Sequence, residues 1–154
     1  MGLRTKIRKF VASKKYPLET YYPARKTVPE KLIESNTAWK GLELILEDIL
    51  DRFDVWRDKC IEFGVEYCYA TVALSNYFNE VKGVDIFVRD PHSGGKADHY
   101  EDTKESVAAF PNIQLFKSDY KDWIRTDDEQ YDFAHVDIVH LYDETFECGL
   151  WAIE

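Results

Sequence analysis

An α/β fold with a doubly wound, mostly parallel sheet is predicted by three features of the 154-residue sequence. Residues 60–85 read as strand, turn, helix and second strand. Two further strand-like runs, 112–116 and 131–140, alternate with helical stretches, the pattern that places parallel strands beneath crossover helices. Residues 36–53 carry one apolar stripe at helical spacing, the face a helix needs to lie on such a sheet.

Taken in order, residues 1–35 mix basic side chains with Pro17, Pro23, Pro29 and the Tyr21-Tyr22 pair. Without sustained periodicity they are expected to form a basic, loosely structured arm, leaving 36–154 as the α/β domain. Asn36-Thr37 offers an N-cap, and Trp39, Leu42, Leu46, Ile49 and Phe53 recur every three or four residues, predicting a helix whose stripe is plain core. Ile61 and Phe63 then lead as a strand into Gly64, where a turn is predicted. Thr71, Val72, Leu74, Ser75 and Phe78 return to helical spacing, and 83–87 to strand character.

The polar loop 87–95 follows at the strand's exit. There Asp90, His92, Asp98 and His99 are candidates for lining a pocket or binding metal, against the commoner turn-forming and solvated roles. A helix over 98–110 is stopped by Pro111 and followed by a third strand, 112–116. Residues 121–124 read as a helical turn, 125–130 as a solvated connection, 131–140 as a buried strand and 143–154 as a last helix.

Composition bounds the function classes. With 45% apolar and 15% aromatic residues the chain has the makings of one globular domain. It holds no run of eighteen apolar residues and no apolar leader with a cleavage site, so a cytoplasmic protein with no membrane partner is expected. Cys60, Cys68 and Cys148 are odd in number and lack C-x-x-C spacing, which reads as reduced thiols. The net charge of −9 is uneven: residues 1–31 hold nine Lys or Arg against two acids, and the remainder 11 against 27. Such an arm can touch nucleic acid, an anionic membrane or the protein's own acidic body, and the last is the most ordinary use. The acidic body argues against extended contact with a phosphate backbone, hence against a nucleic-acid partner.

The 60–85 unit is a candidate small-molecule site. In a βαβ unit ligands lie beyond the carboxyl ends of the strands, and an acid about twenty residues after the glycine turn can accept from ribose hydroxyls; Asp85 stands at that spacing from Gly64. The fingerprint G-x-G-x-x-G is absent, since positions 66 and 69 are Glu and Tyr, so a different ribose-bearing molecule is favoured over a nicotinamide cofactor. Further on, Asp137-x-x-His140 places a carboxylate and an imidazole at the end of the fourth strand. The carboxylate suits a hard cation such as Mg²⁺ and the imidazole can take a proton from a hydroxyl near neutral pH. A plain strand-end hydrogen bond is the alternative for His140.

Glu62-x-Gly64, a helix opening on Thr71-x-Ala73-Leu74, and Gly83-Val84-Asp85 resemble the first two motifs of class I S-adenosylmethionine-dependent methyltransferases. The run 135–142, HVDIVHLY, looks like the strand-four motif of the class-24-like branch, which includes metal-dependent sugar O-methyltransferases. The resemblance spans roughly 36–154 and implies a Rossmann-like methyltransferase fold, incomplete at its C-terminus because four strands are countable where that family has seven. It implies S-adenosylmethionine near Glu62, Gly64, Asp85, Ser118 and Asp119, Asp137 as a ligand to Mg²⁺, His140 as base, and a small hydroxyl-bearing acceptor such as a sugar. Two departures stand out. Cys68 replaces a usual glycine and Ala70 a frequent Ser, and the fourth strand would be left at an open edge that invites pairing with a second copy of the chain. The alternative that follows is an inactive or truncated methyltransferase-like binding module.

Overall fold

The computed structural model describes residues 20–88, 98–138 and 141–153. Its centre is a four-stranded, wholly parallel sheet formed by β1 (Lys59–Phe63), β2 (Glu80–Asp85), β3 (Ile113–Lys117) and β4 (Phe133–Val136) in the order β3-β2-β1-β4. Among the described residues five helices accompany it: α1 (Leu46–Arg52), α2 (Tyr69–Leu74), α3 (Tyr100–Ser106), α4 (Tyr120–Trp123) and α5 (Tyr142–Trp151). The fold is therefore α/β, Rossmann-like and doubly wound, and the order reverses between β1 and β4. In open sheets of this kind the crevice for ligands opens at that reversal.

Parallel strands need both faces covered, and strand alternation supplies the two surfaces. Cys60 and Val81 face one side, where Leu46 and Leu50 of α1 and Ala73 and Leu74 of α2 close over them. On the same side Cys68 and Val72 pack with Phe87, Leu115 and Val107 at the end of α3. Ile61, Phe63 and Val84 face the other side and meet Trp123 of α4 and Cys148 and Trp151 of α5. The three cysteines are free and buried, one in each cluster. Among the described residues β4 pairs only with β1.

Several elements differ from the sequence-based expectation for identifiable reasons. The helix expected from 36 begins only at Leu46, because Gly41 takes φ +109° and breaks the helical path. Trp39 and Phe53, the ends of the supposed core stripe, are consequently exposed. β2 starts at Glu80, in register with Lys59, and ends at Asp85; Phe87 has φ +50° and turns the chain away. β4 has four residues and is half-buried rather than buried, as befits an edge strand. The connection 125–130 is less idle than expected, since Glu129 pairs with Lys59 and with the buried Lys82. Residues 20–35 form neither helix nor strand, yet they are tied down: Asp48 accepts from the Tyr21 hydroxyl and from the backbone N–H groups of Ala24 and Arg25.

Candidate functional site

The site is built at the carboxyl end of β1. Gly64 leaves the strand at φ +85°, and the turn continues with Glu66 at φ +50° and Cys68 at φ +65° before α2 begins. Three alternate residues thus hold left-handed conformations, and only the first is glycine. A side chain there costs about 1–2 kcal/mol. Glu66→Gly is therefore expected to leave stability unchanged or raise it by up to ~1 kcal/mol, read from urea denaturation midpoints. Cys68 differs, because its side chain is buried in the cluster with Val72 and Phe87.

Asp85, at the end of β2, holds this turn in place. One carboxylate oxygen accepts from the N–H groups of Val65 (2.8 Å) and Glu66 (2.9 Å), the other from Phe87 (2.7 Å). The acid expected to meet a ribose is thus occupied in three of its roughly four acceptor positions. Ser118 and Asp119 lie beside it at the end of β3: the Ser118 N–H donates to the Asp85 carbonyl at 2.9 Å, and the Asp119 carboxylate caps α4 by accepting from Lys121 N–H at 2.8 Å. Ile86 offers an exposed apolar surface at the same edge.

Glu62 turns the other way, into the protein, and is only 1% exposed. It sits in register with His135 of β4 on one neighbour and with Gly83 of β2 on the other. Its carboxylate accepts from the Thr71 hydroxyl and lies 2.9 Å from His135 Nδ1. A buried carboxylate requires such partners. Burial on its own lowers the pKa of His135, but the hydrogen bond and charge of Glu62, aided by Asp137, outweigh it and raise the imidazole above its ordinary value. The other ring nitrogen, Nε2, is buried without a hydrogen-bond partner among the described residues.

Asp137 follows β4 and closes the group. Its N–H donates to the Phe63 carbonyl at 2.7 Å, its carbonyl lies over Gly64, and its carboxylate accepts from the Trp39 indole N–H. The Trp39 ring also meets His135 edge to face, with centroids 4.9 Å apart. Glu62, Gly64, Trp39 and Asp137 line a cavity of about 10 Å³, room for roughly one water molecule. Trp39 is thus the wall that narrows the crevice.

Of the residues expected at the site, Glu62, Gly64 and Asp137 converge on this cavity, while Asp85, Ser118 and Asp119 line the neighbouring edge. His140, Asp90 and His92 lie outside the described residues. Asp98 pairs with Lys117 at 2.6 Å, and His99 is buried against Tyr67 and Phe87, so both have structural surroundings. Sequence reasoning passed over His135 and Trp39. His135 shares the strand face of Asp137 by alternation, but its pairing with Glu62, 73 positions away, depends on strand register. Among the described residues no three His, Cys, Asp or Glu side chains are grouped to hold a metal ion.

Fold and site together define a Rossmann-like α/β domain with its candidate crevice at the β1/β4 reversal. No protein-family model matches the chain, and no curated protein matches it. Among solved structures it is similar to a chain described as "DhpI-SAM-HEP complex", at 22% identity and TM-score 0.46, over 68% of this chain and 44% of that one. This chain therefore spans less than half of that chain's length.

Proposed function

We propose that the protein binds S-adenosylmethionine along the carboxyl edge of the sheet and transfers its methyl group to the hydroxyl of a small acceptor such as a sugar. The observation that carries this reading is the meeting of Glu62, Gly64, Asp85 and Asp137 around the turn at the β1/β4 reversal, the position where such folds take their ligands. Ile86 supplies an apolar surface beside Ser118 and Asp119, and the remaining acceptor position of Asp85 is available to a hydroxyl. When bound, the sulfonium supplies an electrophilic methyl group. What the chain must then do is hold the acceptor in line and take its proton, the role assigned to His140 by resemblance, with Asp137 at the same strand end.

Space is the obstacle. With Trp39 bonded to Asp137 the crevice is water-sized, so binding requires the indole to move aside. Titration calorimetry of the full chain with S-adenosylmethionine and S-adenosylhomocysteine is the test. Saturable binding is expected, tightened roughly tenfold in Trp39→Ala, because a hydrogen bond to a charged group contributes about 1.5–3 kcal/mol to the closed form. A folded sample of both proteins that gives no binding heat rejects the reading. It would favour the second one, a non-catalytic binding module, which the side chains of Glu66 and Cys68 in left-handed positions of the turn support.

A further inference from the structure

Residues 34–40 run along the crevice as a separate piece of chain. Ile33, Ser35 and Thr37 are half-buried and alternate with exposed Leu32, Glu34 and Asn36, the pattern of an extended segment that lays one side on the body of the protein. Its inward residues Ser35, Thr37 and Trp39 line the cavity together with Glu62, Gly64 and Asp137.

The segment is fixed firmly at its two ends and lightly between them. On one side the Lys31 backbone makes two hydrogen bonds with the Asn76 side chain, at 2.7 and 2.8 Å, and Ile33 packs on the cluster of Val72 and Phe87. On the other, the Gly41 N–H donates to the Glu43 carboxylate at 2.6 Å and the chain enters α1. In between, the contacts are local: the Trp39 N–H donates to Thr37 Oγ1 at 3.2 Å, the Trp39 carbonyl accepts from Leu42, and Lys40 stands 4.0 Å from Glu34. Among the described residues, the one hydrogen bond that ties 34–40 to the end of the sheet is that of the Trp39 indole N–H on Asp137. Trp39 is 38% exposed, so burial adds little to that hold.

Gly41 is where this path needs a special residue. Its φ is +109°, yet a Cβ there would meet nothing within 4 Å, so backbone conformation and not space calls for glycine. The indole packs edge to face on His135, whose Nε2 is buried without a partner among the described residues. A covered polar atom of this kind works against the closed form, and moving the indole away would return it to water. We propose that residues 34–40 are a strap, hinged at Gly41 and latched by Trp39 on Asp137, that swings off the crevice as one piece and sets access to the site. That the strap admits S-adenosylmethionine rests on the function proposed above; that it swings does not.

Fluorine NMR of the full chain labelled with fluorotryptophan tests the strap without any ligand. The four tryptophans give four resonances, and that of Trp39 is assigned by its loss in Trp39→Phe. Gly41→Ala is expected to shift the ratio of open to closed Trp39 about tenfold towards open, because a side chain is disfavoured in the left-handed backbone that the closed form uses. Gly149→Ala, at another glycine with open space around it, should leave the Trp39 resonance as in the wild type. A Trp39 resonance unchanged by Gly41→Ala overturns the hinge. So does a shift of all four resonances together, which is general loosening. Saturating S-adenosylhomocysteine should move the wild-type Trp39 resonance to its open position, and binding heat with that resonance unmoved overturns the gate. If calorimetry gives no binding heat while Gly41→Ala opens the strap, the methyl-transfer reading falls and the strap stands.

Discussion

Gly64→Ala is expected to lower stability by about 4 kcal/mol, among the largest effects a single substitution produces. A Cβ at this position would lie 1.9 Å from the Asp137 carbonyl oxygen and 2.5 Å from its carbon. Both are backbone atoms, fixed by the Asp137 N–H bond to Phe63, so neither can give way as a side chain would. The left-handed φ of +85° adds strain of its own. Gly83→Ala is the instructive comparison. There the added carbon would meet the ends of Leu115 and Val65 at 2.8 Å, side chains able to shift, so about 1–3 kcal/mol is expected. Thermal unfolding of the two variants should differ clearly, with Gly64→Ala falling by on the order of 10 °C. Equal losses would mean that the approach of β4 to the turn is looser than the geometry indicates.

His135→Ala should cost about 3–5 kcal/mol, since it strips the buried Glu62 carboxylate of the imidazole that pairs with it, a cation whenever the ring is protonated. Adding Glu62→Gln to His135→Ala should recover part of that loss, because the unpaired charge is then gone; a double-mutant cycle in urea reads the coupling. The same pair predicts a pH dependence. His135 faces Glu62 and Asp137 as charged neighbours and Trp39 as an aromatic one, and its pKa in the folded chain is raised above the ordinary 6.5. A raised value means that protonation favours folding. The contribution is complete below pH 6.5 and fades as pH rises through the folded value. Stability should therefore decline above pH 6.5 in the wild type and decline less in His135→Gln. A flat profile in the wild type would remove the imidazolium from the account.

Much of the fold could be read from local signals. Gly64 between an apolar run and a helical period marks the β1 turn, and the 3.6-residue and 2-residue patterns separate α2 from β2. What escaped depends on long-range geometry. The periodicity of 36–53 is real, but a single glycine with positive φ at 41 sends Trp39 to Asp137, 98 positions away, rather than into the core. Likewise the pairing of Glu62 with His135 is set by parallel register, and no local pattern reveals which residues stand opposite across a sheet. Asp85 was found by its spacing from the turn, yet its three backbone hydrogen bonds depend on Glu66 adopting a conformation that composition would not assign to it.

The placement of the three cysteines gives the molecule a built-in set of reporters. Cys60 lies under α1, Cys68 at the start of α2 beneath the turn, and Cys148 between α5 and the sheet. Burial raises all three thiols, Cys148 to about 11 and Cys60 and Cys68 well above the ordinary thiol value, so each is unreactive while its layer is closed. Alkylation of each thiol under native conditions then runs at the rate or frequency with which its own layer opens. One reaction time course, resolved by residue, would rank the two helical layers and the turn by how often each parts from the sheet.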